Sequence, residues 1–261
     1  MRRFISIRST VGSAFVLAIV CSAFVFAQQP AQGQGGGRQG GRGGGAGNAA
    51  RASAAPAFFK VEWVQPQGQT GQVPIVQENV ADPNVEVKWY GSAARHLLTS
   101  GTPGSDTTPF SAWSGECDGP FAITFKQKNN YADLSGLGKI RWIVKTSGFH
   151  AVRPVVKLAD GTMLVGDRAD ASVPMLTTSE FALSGVRWIK LDPARMVTVN
   201  NGGSSPNNEI WVQNPDLSKV DEVGFADLMP GSGHGTGGYI HLGTIEVFGK
   251  PVPRASTSAR N

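Results

Sequence analysis

The chain has 261 residues, of which 40% are hydrophobic and only 16% charged, with a formal net charge of +5. The positive excess sits at the amino-terminal end. Six of the 24 Lys and Arg residues precede residue 52 and no acid does, which leaves 18 bases against 19 acids in the rest. A near-neutral remainder has no electrostatic footprint for nucleic acid, and so few charged groups leave little from which to build a catalytic site.

Taken in chain order, the first residues set the compartment. Arg2, Arg3 and Arg8 precede an apolar run from Val11 to Phe26, and Val25-Phe26-Ala27 offers a cleavage site before Gln28. That is the plan of a secretory signal peptide over residues 1–27. The run is shorter than the roughly 20 residues of a spanning helix, so the mature chain is expected to carry no transmembrane span and to work in the periplasm or outside the cell. Residues 33–47 then hold ten glycines among fifteen residues. Such composition cannot bury enough apolar area to offset its ordering entropy, and a disordered Gly-rich linker is expected over 28–56. Once the signal is removed, Cys117 is the one cysteine left. It forms no internal disulfide, and a buried, inert thiol is the expectation.

From residue 57 to 253 the pattern is strand after strand. Candidates are Phe59 to Val64, Val85 to Tyr90, and Phe121, Ile123 and Phe125 alternating with Ala122, Thr124 and Lys126. Ile140, Trp142 and Val144 follow, alternating with Arg141, Ile143 and Lys145. Val152 to Leu158, the turn Asp160-Gly161 and Thr162 to Val165 read as a hairpin. Val186 to Leu191, Ile210 to Val212, Val220 to Ala226 and Tyr239 to Phe248 complete the series. Glycine, proline and asparagine clusters separate them, and no run of ten residues has helical period. Short strands at this spacing predict an all-β, two-sheet jelly-roll sandwich, with a frayed tail over 254–261.

Several segments carry a resemblance. Tyr131-Ala132-Asp133-Leu134-Ser135 leading into Ile140-Arg141-Trp142, the run Trp188-Ile189-Lys190-Leu191-Asp192, Asp216-Leu217-Ser218 leading into Val220-Asp221-Glu222-Val223-Gly224-Phe225, and Ile245-Glu246-Val247-Phe248-Gly249 together resemble galactose-binding-like β-sandwiches. The carbohydrate-binding modules of the family 11 type are the nearest group, over about residues 120–250. The resemblance implies a jelly roll, glycan binding and no catalysis. It also implies a structural calcium in oxygen ligands, for which Asp227 and Glu246 are the donors this sequence offers. Residues 57–115 match no family.

Sugar binding on a sandwich needs exposed rings, on which the C–H face of a pyranose stacks, flanked by groups that hydrogen-bond hydroxyls. Trp89, Trp113, Trp211 and Tyr239 lie outside the alternating core pattern, while Trp142 and Trp188 sit inside regular strands and belong to the core. Trp89 and Trp113 lead, with Arg95 and His96 close in sequence. His150 sits in a turn, and His234 in the glycine-rich segment from Met229 to Gly238. That segment lacks the Gly-Lys-Ser/Thr of a phosphate loop. The four histidines show no metal-binding spacing, there is no Gly-x-Ser-x-Gly elbow, and Asp221 and Glu222 point to opposite faces of a strand. The leading expectation is a secreted, non-catalytic module for a carbohydrate or envelope polymer. Two competitors stay open: a structural protein that docks to a protein partner, and a glycoside-modifying hydrolase or lyase.

Overall fold

The computed structural model describes residues 55–200, 208–229 and 237–254. The expected signal peptide, all but the last two residues of the expected linker, the tail past Arg254 and His234 lie outside them. In chain order the strands are β1 (Ala57–Val61), β2 (Val85–Tyr90), β3 (Leu98–Ser100), β4 (Ser111–Trp113), β5 (Phe121–Gln127), β6 (Asn130–Asp133), β7 (Lys139–Thr146), β8 (Ala151–Leu158), β9 (Met163–Gly166), β10 (Asp170–Ala171), β11 (Thr177–Ala182), β12 (Trp188–Asp192), β13 (Val197–Thr198), β14 (Trp211–Val212), β15 (Val220–Asp227), β16 (Ile240–Phe248) and β17 (Lys250–Pro253). Among the described residues the helical elements are three short 3-10 turns.

Two antiparallel sheets form the jelly-roll sandwich. The smaller runs β11-β7-β16-β4-β3, with β1 also on β16. The larger runs β13-β12-β9-β8-β15-β5-β2, with β14 on β12 and β10, β6 and β17 attached along it. Alternation builds the core between them. Ile140, Trp142 and Val144 of β7 meet Phe121, Ile123 and Phe125 of β5 and Val223 and Phe225 of β15, all buried. Trp142 sets its ring edge-on to Phe181 at 5.1 Å and donates its indole N–H to Asp170 Oδ2 at 2.7 Å, so the buried indole donor is satisfied. Trp188 is equally buried, as its strand position predicts.

The two Asp-Leu-Ser segments close one end of the sandwich as a pair. In each, the aspartate Oδ1 accepts the serine backbone N–H, at 3.0 Å from Ser135 and 2.9 Å from Ser218. Such a local bond fixes the turn. The leucine between them drops into the core, and the Leu134 N–H reaches the Leu217 carbonyl at 2.8 Å. The predicted hairpin is also present: Gly161 takes a φ of +88°, and the Thr162 N–H bonds Asp160 Oδ1 at 2.8 Å.

The larger sheet carries a second apolar layer on its outer face. Ala122, Val155, Met163, Val165, Ile189, Leu191 and Ala226 cluster there with Met196, and Tyr90, Trp211 and Leu228 pack against them. This explains why β9 is buried at all four positions instead of alternating. Strands covered on both sides read as continuous apolar runs.

Candidate functional site

The site begins where β2 ends. Gly91 has a φ of +82°, and a Cβ there would stand 2.6 Å from the Pro120 carbonyl oxygen and 2.7 Å from Met196 Cγ, so only glycine fits. The chain then turns into the 3-10 segment Ser92–His96. Ala93 and Ala94 face the core, fully buried, which turns Arg95 and His96 outward. The Ile75 N–H bonds the Leu97 carbonyl at 2.9 Å and draws Pro74–Val76 up as a second wall.

These elements enclose an open cleft of about 990 Å³, lined by Trp89, Ser92, Arg95, His96, Asp118 and Ala194 along with that wall. The volume falls within the range of roughly 300–1,000 Å³ common for ligand sites. His96 Nδ1 lies 3.7 Å from Asp118 Oδ1, and both side chains are exposed. Solvent screening makes such a pair weak, so its groups stay free to exchange partners with a ligand. The cleft therefore offers an indole, a guanidinium, an imidazole, a hydroxyl and a carboxylate. Asp118 is the one carboxylate among its described lining residues, whereas glycoside hydrolysis in its common form needs two across the bond.

The sequence places Trp89, Arg95 and His96 together, and the structure joins them in this cleft. The other candidates separate. Trp113 is a correction: it is 8% exposed, and a Cβ on Gly115 would stand 1.8 Å from its ring, so glycine makes room for the indole to lie flat. Trp113 contacts Tyr239 and His241 at centroid distances of 6.1 and 6.3 Å on the outer side of the smaller sheet. Tyr239 is half-buried there, with the Lys145 ammonium 5.7 Å from its ring. His150 is also a correction. It is 2% exposed, and its Nδ1 lies 2.5 Å from Asp227 Oδ2.

The proposed calcium donors do not meet. Asp227 ends β15 of the larger sheet, held by His150 and the Met229 N–H. Glu246 lies on β16 of the smaller sheet, paired with Arg141 at 3.1 Å. A shared ion needs its oxygens within one coordination sphere, so these two do not fit one. Among the described residues no three His, Cys, Asp or Glu side chains cluster as a metal site. Trp211 lines a separate cavity on β14.

Alternation alone could not reveal a buried polar quartet on the outer face of the larger sheet. Glu222 of β15, 2% exposed, accepts hydrogen bonds from Tyr90 Oη at 2.8 Å, Lys157 Nζ at 3.0 Å and Thr124 Oγ1. Lys157 Nζ also donates to Tyr90 Oη at 3.0 Å. The four residues come from β2, β5, β8 and β15, strands whose adjacency is set by the topology.

Two pKa shifts bear on the chain's chemistry. Burial pushes the Cys117 thiol up to about 12, helped by the Asp227 carboxylate, so the thiol stays protonated and unreactive at neutral pH. Burial takes His241 from its ordinary 6.5 down to about 4, with Lys145 adding to the shift. The unfolded chain therefore binds a proton between pH 6.5 and 4 that the folded chain refuses, so stability falls as pH drops through that window and levels off below it. Replacing His241 with phenylalanine is expected to flatten this limb by on the order of 2 kcal/mol. Denaturation midpoints from pH 7 to pH 4 measure it, and an unchanged limb would refute the assignment.

No protein-family model matches the chain, and no curated protein matches it. Among solved structures, it is similar to the family 11 carbohydrate-binding module of the cellulosomal cellulase Lic26A-Cel5E of Clostridium thermocellum. Identity is 15%, the match covers 70% of this chain and 96% of that one, and the TM-score is 0.39. A second is the family 11 module from Clostridium thermocellum in complex with a β-1,3-1,4-mixed-linked tetrasaccharide, at 15% identity, 69% and 97% coverage and a TM-score of 0.38. An exo-β-agarase is similar at 9% identity and a TM-score of 0.35; the match covers 70% of this chain but only 25% of that one.

Proposed function

We propose that the protein is an exported, non-catalytic module that binds a carbohydrate through the cleft at the end of β2. The observation that supports this reading is the convergence of Trp89, Arg95, His96 and Asp118 on one open cleft. The indole supplies the flat apolar surface for a pyranose, and the polar groups supply donors and acceptors for its hydroxyls. The single carboxylate favours binding over bond cleavage.

Calorimetric titration against a panel of neutral tetrasaccharides, the β-1,3-1,4-mixed-linked one included, tests it. Arg95→Ala and His96→Ala remove exposed side chains and leave the core untouched. Each is expected to raise Kd about tenfold, which corresponds to about 1.4 kcal/mol. If no glycan binds, or if both variants match the wild type, the reading fails.

A further inference from the structure

We propose that the same sheet carries a second, independent glycan site, the two lying at opposite ends of β12, which makes the module bivalent toward an uncharged polysaccharide. The proposal rests on the reading of the first cleft given above. Trp211, half-buried on β14, opens on a separate cavity of about 690 Å³. The Arg187 guanidinium lies 4.7 Å from the centre of its ring. Arg187 is itself held in place: its Nε donates to Asp167 Oδ2 at 2.7 Å, and its backbone N–H to Asp167 Oδ1 at 2.9 Å. An exposed arginine fixed in this way loses less entropy on binding than a free one. Asn214 and Asp216 add exposed hydrogen-bonding groups beside it.

The two cavities repeat one chemistry. Each combines an arginine and an exposed aspartate, Asp118 in the first and Asp216 in the second, with tryptophan: Trp89 in the first, and Trp211 with the buried Trp188 in the second. A carboxylate in each lining repels an acidic sugar and accepts from neutral hydroxyls, so the ligand class is an uncharged glycan. Trp188 lines the second cavity and Ala194, six residues further along the chain, lines the first, so at ~3.3 Å per residue the two linings stand within about 20 Å of each other. A short oligosaccharide fills each site separately, while a polymer spanning both gains from the raised effective concentration at the second.

Calorimetry with the tetrasaccharide panel and with the parent polymers decides this. The wild type is expected to bind two tetrasaccharides per chain. Arg187→Ala and Trp211→Ala should each reduce this to one, with the Kd of the remaining site unchanged. Both should weaken polymer binding at least 100-fold. Arg187 is largely exposed, so its variant keeps the test valid should Trp211→Ala fail to fold. One tetrasaccharide per wild-type chain, weakened by His96→Ala and indifferent to Arg187→Ala, would overturn the second site and leave the first standing. No binding of any glycan would overturn both.

Discussion

Truncating Asp227 to alanine is expected to lower the stability of the fold by about 2–3 kcal/mol, the cost of removing one partner from a buried hydrogen-bonded pair. The pair is almost fully enclosed, with His150 2% and Asp227 1% exposed, and its atoms stand 2.5 Å apart. Burial pushes the Asp227 carboxyl up from its ordinary value, and the hydrogen bond from His150 pulls it back. The second oxygen of Asp227 accepts the Met229 N–H at 3.0 Å. One carboxylate thus joins the end of β15 to the turn between β7 and β8. The same turn is hydrogen-bonded to the approach to β16, through Ser147 N–H to the Tyr239 carbonyl at 2.8 Å. His150→Ala should cost a similar amount, because it strands the buried carboxylate. The double variant should cost well below the sum, since each single change already breaks the interaction. Urea denaturation of the four proteins measures this. A loss below about 1 kcal/mol for Asp227→Ala would show that the pair is not the anchor described.

How far the sequence anticipated this follows from the reach of each signal. Alternation is local, and it correctly turned Ile140, Trp142 and Val144 inward and assigned Trp188 to the core. Turn chemistry is also local, and Asp160-Gly161 and the two Asp-Leu-Ser turns behave as their residues imply. The strands it missed lack a clear apolar side. β11, Thr-Thr-Ser-Glu-Phe-Ala, buries one residue in six. β17, with Pro251 and Pro253, is an edge strand of a kind proline permits. β3 and β4 lie between the expected strands at 85–90 and 121–125, in a stretch without alternating apolar residues. The site was partly legible for the same reason: Trp89, Arg95 and His96 converge because seven residues of chain hold them together. Asp118 reaches them only through tertiary contact. Trp113 misled because it lies outside the alternating core pattern, whereas Gly115 is the gap into which its ring packs.

The outer-face quartet gives the second large effect, and there long-range pairing overrides sequence signals altogether. Lys157→Met is expected to cost about 3–5 kcal/mol, because the buried Glu222 loses its lysine partner and is left with only the Tyr90 and Thr124 hydroxyls to satisfy it. Lys157→Met with Glu222→Met should recover most of that loss, since the matched apolar pair would extend the layer of Val155 and Ala226 beside it. The double-mutant cycle should therefore show a coupling of several kcal/mol, well beyond that of an exposed pair. The alkaline limb supplies an independent readout. Burial alone would lower the Lys157 pKa, but its hydrogen bonds to Tyr90 and Glu222 more than reverse this and raise it above 10.5. Burial likewise raises the Tyr90 hydroxyl above its ordinary 10. Both groups hold their protons in the folded state after the unfolded chain has released its own, so the wild type should lose stability as pH climbs past about 10. The double variant removes the lysine and the carboxylate that hold Tyr90, and its alkaline limb should be shallower. A limb of equal slope, or a coupling near zero, would mean that the four side chains share the face without acting as one network.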